Sequence, residues 1–182
     1  MILKRYRKKG FSLLELMLVL GIIAALIVSA FIIYPKVQLA QKTDQDLRDI
    51  TTITNGIKEL YSGKANYEGL TVQAVINSKI APDYMVKGNK LYLTNSKEIT
   101  ISENHSNTSG YLYNYFVLMM SNFPDDECAR IAPMIFKNAF ILKINSQQVS
   151  RDASSPTEFN VADAISYCNG GKNGNSVAIF LY

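Results

Sequence analysis

Few side chains in this chain could carry out acid–base or metal chemistry. His105 is the only histidine, and it stands in the polar stretch Glu103–Asn107, which is typical of a solvated loop. A catalytic site needs a nucleophile, a base and a group that orients the base, and the sequence offers no recognisable set of this kind. Two cysteines and one distant histidine are too few ligands for a metal site. We therefore predict no enzyme activity and no cofactor.

The two cysteines, Cys128 and Cys168, allow two interpretations. In a cytosolic protein they would remain reduced thiols in the core, whereas in an exported protein one pair of cysteines predicts a disulfide. A disulfide here would close a ring of about 40 residues and, in the chain-entropy model, stabilise the fold by roughly 4 kcal/mol. The choice depends on whether the N-terminus directs export.

The N-terminal segment is apolar enough to cross a membrane. Residues Phe11–Tyr34 are interrupted only by Ser12, Glu15, Gly21 and Ser29. As a helix, this segment of about 24 residues would span roughly 36 Å, which exceeds the thickness of the hydrocarbon core. Basic residues precede it at once, and positive charge remains on the cytoplasmic side, so the rest of the chain is predicted to face outward.

Glu15 is the unusual residue of this segment. A carboxylate that is deep in the bilayer and unpaired costs about 2.5–3.5 kcal/mol. Glu15 could lie at the membrane edge among lipid headgroups. Alternatively, cleavage between Gly10 and Phe11 would create an α-ammonium on the same helix face, four residues away, which Glu15 could neutralise in its own chain or in a neighbour.

The net charge gives little support to a nucleic-acid partner. The chain has 19 basic and 15 acidic residues. Five of the basic residues precede Gly10: Lys4, Arg5, Arg7, Lys8 and Lys9. The remainder is close to neutral, and we predict no specific nucleic-acid binding.

The segment Lys8–Glu15 resembles the processing motif of type IV prepilins and pseudopilins. The resemblance implies that a prepilin peptidase cleaves after Gly10, that Phe11 becomes the N-methylated first residue, and that Glu15 directs assembly. Gly21 and the wide spacing of the cysteines resemble the type IVb branch, whereas the short leader and Phe11 resemble type IVa. The IVb branch is favoured, with a disulfide that bounds the C-terminal region.

Beyond the apolar segment, the pattern predicts an α+β fold. The expected regions are a basic leader (residues 1–10), a transmembrane or filament-core helix (11–35), its amphipathic continuation (36–62) and a globular head (63–182) with an antiparallel sheet. The continuation has an apolar stripe of Leu47, Ile50, Ile53, Ile57 and Leu60, with Lys42, Asp44, Asp46, Arg48 and Lys58 mostly elsewhere. In the head, the pattern predicts helices at Thr71–Ile80, Asp125–Asn138 and Pro156–Cys168, and strands at Lys90–Leu93, Glu98–Ser102, Tyr111–Met120, Ala139–Asn145 and Ser176–Tyr182.

The predicted function is that of a structural pilin. The subunit would be held in the inner membrane by one span with its head in the periplasm, and pilus assembly machinery would then build it into an extracellular homopolymer. This filament could serve adhesion, aggregation, motility or conjugative contact. Two alternatives remain at this point: a pseudopilin of a type II secretion system, and a membrane-anchored binding protein that does not polymerise.

Overall fold

The computed structural model describes residue 10 and residues 12–103, 115–149, 161–171 and 174–182. The chain divides into two compact units, of which the first ends at Ala40 and the second is Gln41–Tyr182. His105 and the first residues of the strand predicted at Tyr111–Met120 lie outside the described residues, as does the start of the helix predicted at Pro156.

A single long helix, α1, extends from Leu13 to Leu60 and contains Pro35. Its N-terminal part is long and apolar enough to cross a membrane, and in the described residues its side chains are exposed rather than packed in a core. In its second half, three isoleucines at spacings of three and four are buried: Ile50, Ile53 and Ile57. Burying one such side chain contributes about 1.5–3 kcal/mol, which explains why this half of α1 belongs to the second unit.

The second unit contains three further α-helices, two short 3-10 turns (Asp83–Met85 and Thr94–Ser96) and one antiparallel sheet among its described residues. The helices are α2 (Val72–Asn77), α3 (Asp125–Phe136) and α4 (Val161–Tyr167). The strands are β1 (Val86–Lys87), β2 (Lys90–Tyr92), β3 (Glu98–Glu103), β4 (Phe116–Phe123), β5 (Ile141–Ile144), β6 (Gln147–Gln148) and β7 (Asn175–Leu181). Their order in the sheet is β1-β2-β3-β4-β7-β5-β6. The predicted α+β class with an antiparallel sheet is confirmed.

Strand alternation defines the inner face of this sheet. In β4, Phe116, Leu118 and Met120 are fully buried, whereas Val117 and Met119 between them are partly exposed. The C-terminal strand β7 lies between β4 and β5, and pairs Leu118 with Ile179 and Leu142 with Ile179. The buried residues of the sheet, of α1 and of α3 form one hydrophobic core.

Several predicted boundaries are wrong, for local reasons. Helix α2 is shorter than predicted: Thr71 caps its start by accepting a hydrogen bond from the Ala74 N–H, and Lys79 leaves the helical region with a φ of 59°. The central strand β4 extends beyond its predicted end at Met120 to Phe123. The two-residue strands β1 and β6 were missed because they are too short to show alternation.

The polar face predicted for the second half of α1 is also partly wrong. Asp46 is one of the charged residues predicted to lie mostly off the apolar stripe, but it is fully buried. It precedes Ile50 by four residues and therefore lies on the apolar stripe. Leu60, predicted to belong to that stripe, is 45% exposed at the end of the helix.

Candidate functional site

The first candidate site is the exposed apolar part of α1. Between Leu13 and Tyr34, Glu15 is the only charged residue, and the large apolar side chains in this range are between 44% and 77% exposed. Glu15 itself is exposed in the first turn of α1, where the helix dipole favours a carboxylate. Gly10 is described and exposed, whereas Phe11 lies outside the described residues. This surface can bind only apolar surroundings, such as lipid or other helices.

The second feature is the predicted cysteine pair, which the structure joins in a disulfide. Cys128 lies in the first turns of α3 and Cys168 follows the last residue of α4, with their Cα atoms 5.7 Å apart. Both side chains are buried in the core. The disulfide therefore ties α4 to α3, and the predicted disulfide-bounded C-terminal region is confirmed.

A buried asparagine organises the segment that follows this disulfide. The Asn175 amide donates hydrogen bonds to the Phe123 carbonyl (3.1 Å) and to Asp125 Oδ1 (2.7 Å). Its oxygen accepts hydrogen bonds from the Gly170 N–H (2.8 Å) and from Asn145 Nδ2 (2.7 Å). Four bonds on one side chain that is 0% exposed connect the end of β4, the start of α3, the loop after α4 and the end of β5.

Close backbone packing fixes the same segment. Gly174 has a φ of +68°, and a Cβ placed there would lie 2.8 Å from the Asn122 Cα. A Cβ on Gly170 would lie 2.3 Å from the Gly174 carbonyl oxygen. No side chain fits at either position, so Gly170 packs against Gly174, and Gly174 packs against the end of β4, by direct backbone contact.

The third feature is a charged cluster inside the core, which the sequence analysis missed. Lys97 is fully buried between two buried carboxylates: its Nζ lies 2.5 Å from Asp46 Oδ2 and also contacts Glu127 Oε2. The Phe123 ring centroid is 4.9 Å from the same ammonium. Asp46 and Glu127 could have been recognised by their spacing, because each precedes a buried isoleucine, Ile50 or Ile131, by four residues.

Hydrogen bonds hold one member of this cluster in a defined orientation. Asp46 Oδ1 accepts from the Thr94 N–H (3.1 Å) and from the Thr94 hydroxyl (2.5 Å). The short 3-10 turn Thr94–Ser96 places Lys97 next to them, and the Leu93 N–H donates to the Lys97 carbonyl to close this turn. These hydrogen bonds fix the Asp46 carboxyl group and the backbone turn that carries Lys97.

A second acidic residue of α1 is paired with a tyrosine. The Tyr84 hydroxyl donates to Asp49 Oδ1 at 2.5 Å, and Gln45 Nε2 donates to the same oxygen at 2.9 Å. The hydrogen bond to Asp49, with smaller contributions from burial and from the negative charge, raises the pKa of Tyr84 above its usual value. This network ties the segment before β1 to α1.

The aromatic residues near β4 pack within the sheet. The Tyr115 ring is 5.2 Å from Phe140 and 5.9 Å from Phe180, in edge-on and tilted arrangements. Phe140 in turn stacks on Tyr182 at 4.2 Å. Tyr115 therefore packs against neighbouring aromatic side chains of the second unit. Among the residues that the structure describes, no group of three or more histidine, cysteine or acidic side chains could hold a metal ion.

Comparison with known proteins places these features in one family. Residues 40–181 match the family model described as PilS N terminal, and residues 5–31 match the prokaryotic N-terminal methylation motif. The major structural subunits of the bundle-forming pilus from Escherichia coli O111:H- and from strain E2348/69 of O127:H6 are each 22% identical over 190 residues, spanning 98% of this chain and 96% of theirs.

Solved structures share the fold. The type IVb pilin from Salmonella typhi superposes with a TM-score of 0.57 at 18% identity, covering 75% of this chain and 97% of that one. TcpA, a type IV pilin from Vibrio cholerae El Tor biotype, gives a TM-score of 0.61 at 8% identity, covering 78% and 99%. The predicted pilin fold is confirmed, and because a family model spans more than half of its residues, the chain belongs to the PilS family of type IV pilins.

Proposed function

We propose that this chain is a structural subunit of a type IVb pilus, which polymerises through the apolar half of α1. The observation that carries the proposal is a continuous apolar helical surface, broken by the single charge of Glu15, in a chain whose second unit has a complete core of its own. The relatives named as major structural subunits of a bundle-forming pilus are similar along almost the whole length of this chain. That similarity supports the same role here.

Before assembly, the apolar half of α1 would reside in the inner membrane with the second unit in the periplasm. The match to the N-terminal methylation motif supports cleavage by a prepilin peptidase after Gly10 and methylation of Phe11. Removing the leader eliminates five basic side chains that would otherwise oppose burial of the helix end in a filament core. The new terminal ammonium would then provide a partner for Glu15.

Helix packing would hold the filament together. Each exposed apolar side chain of α1 contributes about 25 cal/mol per Å² of area removed from water. Exchange of lipid for neighbouring helices contributes much less, because both surroundings are apolar. We therefore expect the assembly machinery to supply the work that extracts each subunit from the bilayer.

Protein sheared from the cell surface provides the decisive test. We expect the sheared fraction to contain filaments by electron microscopy, and the N-terminal peptide of its chain to start at Phe11 and carry one methyl group by mass spectrometry. Filaments should be lost in a deletion strain and return with the wild-type gene. A chain that retains residues 1–10 and stays in the membrane fraction would contradict the proposal, and a processed chain that never reaches the surface would favour a secretion pseudopilin.

A further inference from the structure

We propose that Lys97 and Asp46 become joined by an intramolecular amide bond, with Glu127 as the proton carrier. These three residues form the charged cluster buried in the core. An amine-bearing side chain, a carboxyl group and a second carboxylate meet there with side-chain exposures of 0%, 1% and 6%. The two residues to be joined are 51 positions apart in the chain.

The arrangement around Asp46 matches the requirements of acyl transfer. Its Oδ2 faces Lys97 Nζ at 2.5 Å, which brings the amine next to the carboxyl carbon. Its Oδ1 points the other way and is held by two donors, the N–H and the hydroxyl of Thr94. Two donors on one carboxyl oxygen are the arrangement that stabilises an oxyanion when a nucleophile adds to the carbon. Asp46 is therefore the acyl group of the reaction.

Glu127 is positioned to move protons and not to orient the acyl group. Its Oε2 contacts Lys97 Nζ directly, on the same nitrogen that faces Asp46. It lies in the first turn of α3, where the helix dipole favours its negative charge. A carboxylate in contact with the attacking nitrogen can accept a proton from it and return that proton to the leaving oxygen.

The reaction is a condensation that needs no oxidant and no further reactant. One ammonium proton passes to Asp46 Oδ2, and the free Lys97 amine then adds to the carboxyl carbon, which places negative charge on Oδ1. Glu127 takes a second proton from the nitrogen and delivers it to Oδ2, which leaves as water when the Oδ1 carbonyl re-forms. Three ammonium hydrogens become one amide hydrogen and two water hydrogens, and the total charge of the cluster is unchanged.

In water, hydrolysis of the amide would be favoured over its formation. Burial of the cluster favours the condensation instead. Groups held in contact react as if they were present at about 10⁵–10⁸ M, far above the concentration of liquid water. The product also replaces a buried ammonium and a buried carboxylate by a neutral amide, which removes the cost of keeping two ions in a medium of low dielectric constant. The nearby Phe123 ring helps to exclude water from the cluster.

The amide would connect α1 covalently to the start of β3, while the disulfide connects α3 to α4. The chemistry does not rest on the proposed function, since it requires only the folded second unit. In a pilus under tension, however, the amide would prevent the sheet from separating from α1, the helix through which the subunit is held.

Peptide mass mapping of the full chain purified from cells tests the proposal directly. After reduction and trypsin digestion, an uncross-linked protein yields the separate peptides Thr43–Arg48 and Leu91–Lys97. The amide blocks cleavage at Lys97, so we expect Thr43–Arg48 attached through Asp46 to Leu91–Arg130, lighter than the sum of the two by one water. Complete release of the two linear peptides from the wild-type protein would overturn the proposal, whether or not the protein forms filaments.

A matched pair of variants tests the role of Glu127. Glu127→Gln retains the shape and an oxygen acceptor for Lys97 but cannot carry the proton, so we expect at least a tenfold loss of the branched peptide. Glu98→Gln makes the same change at a surface pair, where Glu98 lies 2.8 Å from Lys90, and should leave the branched peptide unchanged. Equal branching in Glu127→Gln and the wild type would overturn the assignment of Glu127.

Discussion

The side-chain amide of Asn175 donates a hydrogen bond to the carboxylate of Asp125 across 50 positions of sequence. This bond connects the first residue of β7 to the first residue of α3. It lies close to the disulfide, because α3 also contains Cys128. The last strand of the fold is thus attached to the disulfide-bearing helix by a polar contact that does not depend on the oxidation of the cysteines.

We predict that Asn175→Ala destabilises the protein by about 3 kcal/mol, because buried partners of the amide lose their hydrogen bonds. Asn138→Ala makes the same substitution at an exposed position after α3 and should change the free energy of unfolding by less than about 0.5 kcal/mol. Urea denaturation followed by circular dichroism measures both. Equal stability of the two variants would mean that Asn175 does not organise this segment.

Alanine substitutions at two glycines distinguish the energetic cost of a positive φ angle from the cost of a steric clash. Gly174 and Gly88 have similar positive φ angles, +68° and +63°, but only Gly174 faces another backbone. We expect Gly88→Ala to cost about 1 kcal/mol from its φ alone, whereas Gly174→Ala should cost clearly more, because its Cβ meets Asn122. Thermal unfolding of the two variants compares them, and equal midpoints would show that the contact at Asn122 relaxes without cost.

Removal of the disulfide should weaken the second unit. In the chain-entropy model, opening a ring of about 40 residues costs roughly 4 kcal/mol. We therefore predict that Cys128→Ser lowers the melting temperature and that the wild-type protein under reducing conditions unfolds at a similarly lowered temperature. An unchanged midpoint for Cys128→Ser, together with free thiols in the wild type by mass, would contradict the prediction.

The hydrogen bond from Tyr84 to Asp49 predicts that the free energy of unfolding changes with pH in the alkaline range. The pKa of Tyr84 is raised in the folded state, so its contribution is complete below the unfolded pKa near 10 and is lost as the pH rises through the folded value. Tyr84→Phe should therefore be less stable than the wild type at pH 7, by about 1 kcal/mol, and this deficit should shrink above pH 10. Denaturation at pH 7 and above pH 10 checks both, with Tyr182→Phe at the exposed chain end as control. A deficit that does not change with pH would contradict the pairing.

The sequence predicted the parts of the fold that depend on short-range patterns. The apolar run before Tyr34, the alternation at Glu98–Ser102 and the acidic helix start at Asp125 each reflect a local physical preference. The structure follows these patterns closely because the tertiary contacts of these segments agree with their local preferences.

The sequence did not predict the buried cluster, because its members are brought together only by tertiary structure. Lys97 resembles an ordinary surface charge when it is considered alone, and the spacing that places Asp46 on the apolar stripe of α1 does not name its partner, although charged residues are rarely fully buried without one. Their pairing depends on how α1 packs beside the turn at Thr94, which local sequence does not specify. In contrast, Glu15 was recognisable because the apolar residues around it are its neighbours in the sequence.

The last prediction concerns Glu15 and the assembly of the filament. We expect Glu15→Val to leave cleavage of the leader largely intact, because the change is four residues beyond Phe11, but to reduce surface filaments at least tenfold. The reason is electrostatic: a terminal ammonium in an apolar filament core would lose the carboxylate that offsets its charge, and this attraction is stronger at low dielectric constant than in water.

Ser29→Val provides the control, since it makes a similarly apolar change at another polar position of α1. Ser29 donates to the Ala25 carbonyl of its own helix at 2.9 Å, so its loss should leave assembly intact. Electron microscopy of sheared material and immunoblotting of the processed chain measure the two variants in parallel. Abundant normal filaments from Glu15→Val would show that the terminal ammonium is neutralised by another group, and the role proposed for Glu15 would then be wrong.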